Sequence, residues 1–244
     1  MADTCIPGSD PLEISSAIHK LITSPHDKDE VIDLQLSPEK RRWLVFGITL
    51  NNTIAPCLRQ YVDPIVKRAF SNLTSAQLHR MTSYKNKQSL EYRNINNNAL
   101  VQWNKQQHVH KLQNHVDFSK LFLRFGMAKY TAFDETCDPS ALLNLIIQMD
   151  DFPSIVRPIA DTIRMFRNDW GHCDFTNWTE SYYLDAFANM EKFIRSLQLS
   201  PSEKEKKILS ELTKWQNDGI RFFSTPWVDA KLCEKIQYEV KTLA

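Results

Sequence analysis

The sequence predicts an all-α protein, a helical bundle with an inserted polar loop and a C-terminal helical appendage. Three observations predict it. Apolar residues recur at helical spacing through most of the chain, and nothing alternates with period two for long enough to make a sheet. Two stretches, Ser37-Pro38-Glu39 and Ser200-Pro201-Ser202-Glu203, set proline at the first helical position behind a capping serine. Glycine is scarce, five in 244 residues, and neither GxGxxG nor GxxxxGK followed by serine or threonine occurs. That excludes the common nucleotide-binding α/β enzymes, which cradle phosphates on glycine-rich loops.

Taken in order, residues 1–36 read as an acidic N-terminal segment with a short helix. The bundle occupies 37–199. Its first helix follows Ser37 and carries Trp43, Phe46, Leu50 and Ile54, with a stop or kink expected at Pro56. A second piece, Pro56 to Phe70, is expected to break at Asp63-Pro64, because the residue before proline is pushed out of helical geometry. Ser75 to Tyr84 reads as a short helix. Residues 85–117, with Asn94, Asn96, Asn97, Asn98, His108, His110 and His115, lack periodicity and read as a long surface excursion with little to offer a core. Helical spacing returns over Phe118–Tyr130 and Pro139–Met149, and then from about Ile155. Thr179 is placed to cap a helix running through Leu197. The appendage, 200–244, opens on the capping box at Ser200, with one helix ending near Gly219 and another from Pro226.

Composition bounds the function. Apolar residues make up 42% and aromatics 11% of the chain, ample for a real core. The five cysteines are dispersed and never form a CxxC pair, which speaks against a disulfide framework or a zinc knuckle. The N-terminus lacks the basic and apolar regions of a signal peptide, and no apolar run approaches membrane-spanning length. A soluble cytoplasmic protein with no membrane association is expected. Charge is uneven along the chain: residues 1–37 carry 2 basic and 7 acidic side chains, 38–132 carry 15 and 4, and 133–244 carry 13 and 18. The basic middle suits a polyanion such as RNA, or it pairs with the acidic flanks in the fold.

The chemistry concentrates in Arg167-Asn168-Asp169-Trp170-Gly171-His172. At about 100° per residue, Ile159, Ile163, Phe166 and Trp170 share one apolar stripe. Arg164, Arg167, Asn168 and His172 fall outside it, with Ala160 and Gly171 among them. Asp169 is expected to face away from that group and pair with a neighbouring helix. Metal-free cleavage of RNA needs one group to take the 2′-hydroxyl proton and a cation to hold the phosphate as charge builds. Histidine, with an ordinary pKa of about 6.5, suits the first task. Arginine offers a permanently charged planar fork for the second. Asn168, one turn before His172, is placed to orient the imidazole or bond the phosphate.

The spacing Arg167-Asn168-x-x-x-His172 resembles the R-polar-x3-H signature of HEPN domains, α-helical bundles of which many are metal-independent ribonucleases acting as dimers. The block RMFRNDWGHCDFTNWTE is most like the HEPN variant of animal multidomain proteins, including one group of zinc-finger ubiquitin ligases. GITLNNTIAPCLRQYVD is similar to the N-terminal part of invertebrate proteins carrying the same RN-x-W-x-H-C-D-F block. The resemblance covers residues 38–199. It implies catalytic roles for Arg167 as phosphate anchor, Asn168 as polar helper and His172 as acid/base, with two copies of the motif meeting across a homodimer interface. It implies no cofactor.

Two functional expectations stand side by side. One is an endoribonuclease that cuts single-stranded RNA to a 2′,3′-cyclic phosphate, with Arg164, Trp178 and Tyr182 as further RNA contacts through charge and stacking. The other is a non-catalytic RNA-binding, protein-interaction or dimerisation module of a signalling or innate-defence protein, with further domains or signalling partners. His108, His110 and His115 lack a cysteine or paired carboxylate at ligand spacing, so no metal site is expected. Asp150 and Asp151 are adjacent and point apart, a poor acid/base pair suited instead to a helix end. Cys173 reads as a small buried hydrophobe rather than a nucleophile.

Overall fold

Ser37 opens the first helix, α1 (Pro38–Thr49), its hydroxyl accepting from the Lys40 N–H at 3.3 Å. In the computed structural model, which describes residues 37–101 and 108–222, the helix does not stop at Pro56. It widens to a π-helical stretch over Leu50–Ile54 and continues as α2 (Ala55–Ser71). The π stretch takes up the register, and Pro56 falls in the first turn of α2, where a missing N–H costs least. Nor does Asp63-Pro64 break α2. A proline inside a helix costs about 3 kcal/mol. Here Leu58, Val62, Val66 and Ala69, all buried in the main core, hold both sides of the helix in place.

Helix α3 is shorter than expected, Ser75–His79, because Arg80 turns extended. Thr74 and Gln77 close a capping box at its start. The region 85–117 corrects a sequence expectation. It does feed the core, with Tyr92, Ile95, Leu112 and Val116 buried. Its asparagines replace regular backbone pairing with side-chain bonds. Asn94 donates to the carbonyls of Lys120 (2.8 Å) and Leu123 (2.7 Å), and Asn96 to those of Val109 and Lys111 (both 2.9 Å). Asn98, fully buried at the start of α4 (Asn98–Val101), bonds Tyr92 and Val109.

Helix α5 covers only His115–Lys120, capped by Asn114. Leu121, the C-cap, and Phe122 and Leu123 in the turn that follows then enter the core. Asp138 caps α6 (Pro139–Gln148), accepting from the Ser140 N–H at 2.6 Å. Helix α7 is Val156–Gly171 and α8 is Glu180–Ser196, the latter capped by Thr179. Helix α9 (Ser202–Phe222) runs through Gly219 rather than ending there. A Cβ at Gly219 would lie 2.7 Å from Val45 Cγ1, so this glycine permits close packing of α9 on α1.

Among the described residues there is no strand, only an isolated bridge between Tyr84 and Lys87, and the fold is all-α. Helix α6 packs on α7, α7 on α8, α8 on α9, and α9 returns to α1, while α2 packs on α5 and α6. A large cluster fills the centre, and a smaller one of Val45, Ile48, Tyr183 and Phe187 lies beneath Trp215 and Ile220 of α9. The described part of the appendage is therefore packed onto the bundle. No described helix is long and apolar enough to cross a membrane. The acidic segment before Ser37 and the helix expected from Pro226 lie outside the described residues.

Candidate functional site

Helix α7 ends in an aromatic clamp. Val156, Ile163, Phe166 and Trp170 are buried as the stripe requires, and Ile159 is half-buried. Ala160, which helical counting put with the outward group, is fully buried instead. Its methyl is small enough to fit under a packed neighbour, which its angular position alone did not reveal. The Trp170 ring stacks on Trp43 of α1 at 5.5 Å between centroids, and the Trp43 indole N–H donates to the Trp170 carbonyl at 2.8 Å. Phe175 packs edge-on against Trp43 at 5.1 Å, and the Lys40 ammonium lies 5.6 Å from the Phe175 ring centroid. Asp174 accepts from Thr176 and Asn177 in the short turn between α7 and α8, and Arg42 donates to the Trp178 carbonyl at 3.2 Å. The end of the motif helix is thus fixed from both sides by α1.

His172 is the C-terminal cap of α7, with its N–H bonded to the Asn168 carbonyl at 3.0 Å. Its side chain is exposed, and that of Asn168 half-buried. Neither side chain has a hydrogen-bond or ion-pair partner among the described residues. Arg167 reaches toward the C-terminal end of the helix. A Cβ at Gly171 would meet its Nη1 at 3.5 Å, an ordinary contact, and nothing else within 4 Å, so the guanidinium lies over Gly171 and no neighbouring backbone approaches the glycine there. The same guanidinium contacts both carboxylate oxygens of Asp138 at 3.4 Å. That is longer than a tight charged pair, which sits near 2.7–2.9 Å. Asp138 therefore serves two roles, capping α6 and restraining the motif cation.

The remaining expected contacts do not converge here. Arg164 is bound to Asp161 on its own helix, at 2.5 and 3.0 Å. Trp178 is fully buried, packed against Phe46 at 4.6 Å and Tyr182 at 5.4 Å, and offers no face to a base. Tyr182 is half-buried against Phe166 at 5.0 Å, and its hydroxyl donates to Asp169. Burial first, and then the Asp169 carboxylate, push that phenol well above its ordinary pKa. So Asp169 turns away to the neighbouring helix, and the two aromatics belong to packing between α7 and α8. Helical counting could not separate an exposed ring from a buried one next to a helix start.

Cys173, half-buried, adopts φ 55°, a left-handed turn that costs a non-glycine residue about 1 kcal/mol. Burial raises its thiol pKa, which suits an unreactive side chain. Asp150 and Asp151 hold a corner. Asp150 accepts from the Asn86 N–H at 3.0 Å and from Arg157 at 2.6 Å, while Asp151 accepts from Tyr84 and Lys85. The basic segment is only partly answered by the flanks. Lys85 pairs with Asp151, whereas Arg42 and Arg93 pair with Glu39 and Glu91 inside the segment. Among the described residues, no three His, Cys, Asp or Glu side chains form a set able to hold a metal.

Sequence reasoning missed Asp138, whose Asp-Pro-Ser context signals a helix cap but not a distant arginine. It also missed the clamp from Trp43. Gly47 is the signal that could have found it: a Cβ there would run into the Trp170 indole. No family model, no curated protein and no solved structure matches this chain.

Proposed function

We propose that this chain is a metal-independent endoribonuclease of HEPN type that acts in the cytoplasm as a homodimer on single-stranded RNA. The observation that carries the reading is the end of α7. The side chains of Asn168 and His172 stand there without partners among the described residues, and the Arg167 guanidinium lies over Gly171, the residue before His172. His172 takes the proton of a ribose 2′-hydroxyl. The freed oxygen attacks the adjacent phosphorus, the bond from phosphorus to the 5′-oxygen breaks, that oxygen takes the proton His172 now carries, and a 2′,3′-cyclic phosphate remains. Arg167 holds the phosphate oxygens as negative charge grows, and Asn168, its amide unpartnered, adds a hydrogen bond to the phosphate. Met165, 60% exposed, shares the outward stripe with Asn168 and His172 and gives a second copy an apolar foothold.

The Arg167–Asp138 contact favours a second reading. A cation already answered by a carboxylate suits a helical module that binds RNA or a protein partner in signalling or innate defence without cutting. Labelled single-stranded RNA incubated with the protein in EDTA separates the two. Cleavage that survives chelation in the wild type and vanishes in both His172→Ala and Arg167→Ala is expected. Activity that is absent, or equal in all three proteins, overturns the nuclease reading.

A further inference from the structure

Away from α7, His108 and His110 line an open hollow of about 490 Å³ together with Leu90, Glu91, Tyr92 and Arg93. That volume lies within the roughly 300–1,000 Å³ typical of small-ligand sites. The walls are built rather than incidental. Asn98, fully buried, donates to the carbonyls of Tyr92 at 2.7 Å and Val109 at 2.9 Å, and accepts from the Val109 N–H at 2.9 Å. These bonds fix the two segments that form the hollow. The Tyr92 hydroxyl accepts from the Met81 N–H at 2.8 Å, and the His110 ring packs edge-on to Tyr92 at 4.7 Å, with His108 6.3 Å from His110.

Donors outnumber acceptors around this space. Arg93 sits 5.5 Å from the Phe125 ring centroid and 3.1 Å from Glu91, with 48% of its side chain still exposed. Arg80 makes no ion pair among the described residues, and its charge bears on both Tyr92 and His110. Glu91 is the one carboxylate among the lining residues. A metal would need a third lone-pair donor at ligand geometry, and none converges among the described residues. One guanidinium and two imidazoles line the hollow against one carboxylate, and Arg80, next to the Met81 whose N–H bonds the Tyr92 hydroxyl, adds a second positive charge from outside the lining, a balance that suits an anion.

We propose that this hollow is an anion site that takes a phosphate group, with Arg93 and Arg80 supplying charge and His108 and His110 supplying directed hydrogen bonds. The site is independent of the ribonuclease reading, and either can fail without the other. The His110 ring contacts Tyr92 and His108, shares the hollow with the charged Glu91 and Arg93, and feels the charge of Arg80 from outside the lining. Burial first, then the charges of Arg80 and His108, hold its pKa below the ordinary histidine value. An anion of fixed charge favours the protonated form of His110, so its affinity rises as pH falls.

The test follows the histidine ring signals of the full chain by NMR during titration with inorganic phosphate, uridine 5′-monophosphate, uridine and sulfate. Saturable shifts of His108 and His110 are expected with both phosphates and none with uridine. Equal affinity for the two phosphates marks a free-phosphate site, and tighter binding of the nucleotide marks a phosphate carried on a larger molecule. Sulfate, whose charge is constant over this range, binds more tightly at pH 6 than at pH 8. Arg93→Gln weakens phosphate binding about tenfold, the worth of one charge-assisted hydrogen bond. Circular dichroism checks that the variants keep the fold. The absence of saturable shifts up to about 10 mM, or shifts unchanged in both Arg93→Gln and Arg80→Gln, overturns the proposal.

Discussion

Replacing Gly47 by alanine separates two opposed physical effects by sign. Gly47 lies inside α1, where alanine should stabilise the helix by about 1 kcal/mol through propensity alone. The structure reverses that expectation, because the new Cβ would enter the space held by the Trp170 indole. Trp170 is 3% exposed and stacked on Trp43, so it has nowhere to retreat without opening the clamp. Overpacking of a filled core costs about 1–3 kcal/mol. Pulling the Trp170 carbonyl away from the Trp43 indole leaves a buried polar pair unsatisfied, a further loss of about 1–3 kcal/mol. After the propensity gain, a net destabilisation of about 3 kcal/mol is expected. Urea unfolding followed by tryptophan fluorescence measures it, and the same substitution in a Trp170→Phe background should cost markedly less. A Gly47→Ala protein as stable as the wild type, or more so, would refute the clamp as the element that positions the end of α7.

Asp138→Asn should keep the cap on α6, since asparagine caps as well as aspartate. It should tighten binding of single-stranded RNA by releasing Arg167, at a stability cost under about 1 kcal/mol from the lost surface ion pair. Filter binding against the wild type checks it, and weaker binding in the variant contradicts a restraining role for Asp138. The Asn86 N–H and then Arg157 hold the Asp150 carboxyl below its ordinary pKa, against the opposing effect of burial. A lowered folded-state value contributes stability that is complete above the unfolded pKa of about 3.9 and lost as pH falls through the folded one. Urea midpoints between pH 5 and pH 3 should therefore fall more steeply in the wild type than in Asp150→Asn. Parallel curves would remove Asp150 from the acid response.

What could be read from the chain is what depends on neighbours in sequence. Ser37, Thr179 and the stripe Ile163, Phe166, Trp170 declare themselves through capping chemistry and a 3.6-residue period, both local properties. The larger errors fall where a distant partner outweighs a local rule. Pro64 signals a break, yet the buried side chains around it keep α2 helical. The asparagine cluster at 94–98 has no period because its bonds run to backbone at 109–123 rather than along one element. Trp178 and Tyr182 carry the same ring chemistry whether they face solvent or Phe46 and Phe166, so composition cannot assign their side. The same distinction governs the candidate site. Its residue types and spacing are local and were legible. Its charge state is not local, because Asp138, 29 residues away, decides how much of the Arg167 charge an incoming phosphate meets. An anion must therefore compete with a carboxylate held in place by the Ser140 N–H. A polyanion that reaches the Arg167 guanidinium and the unpartnered Asn168 and His172 together is better equipped to win that competition than an isolated phosphate.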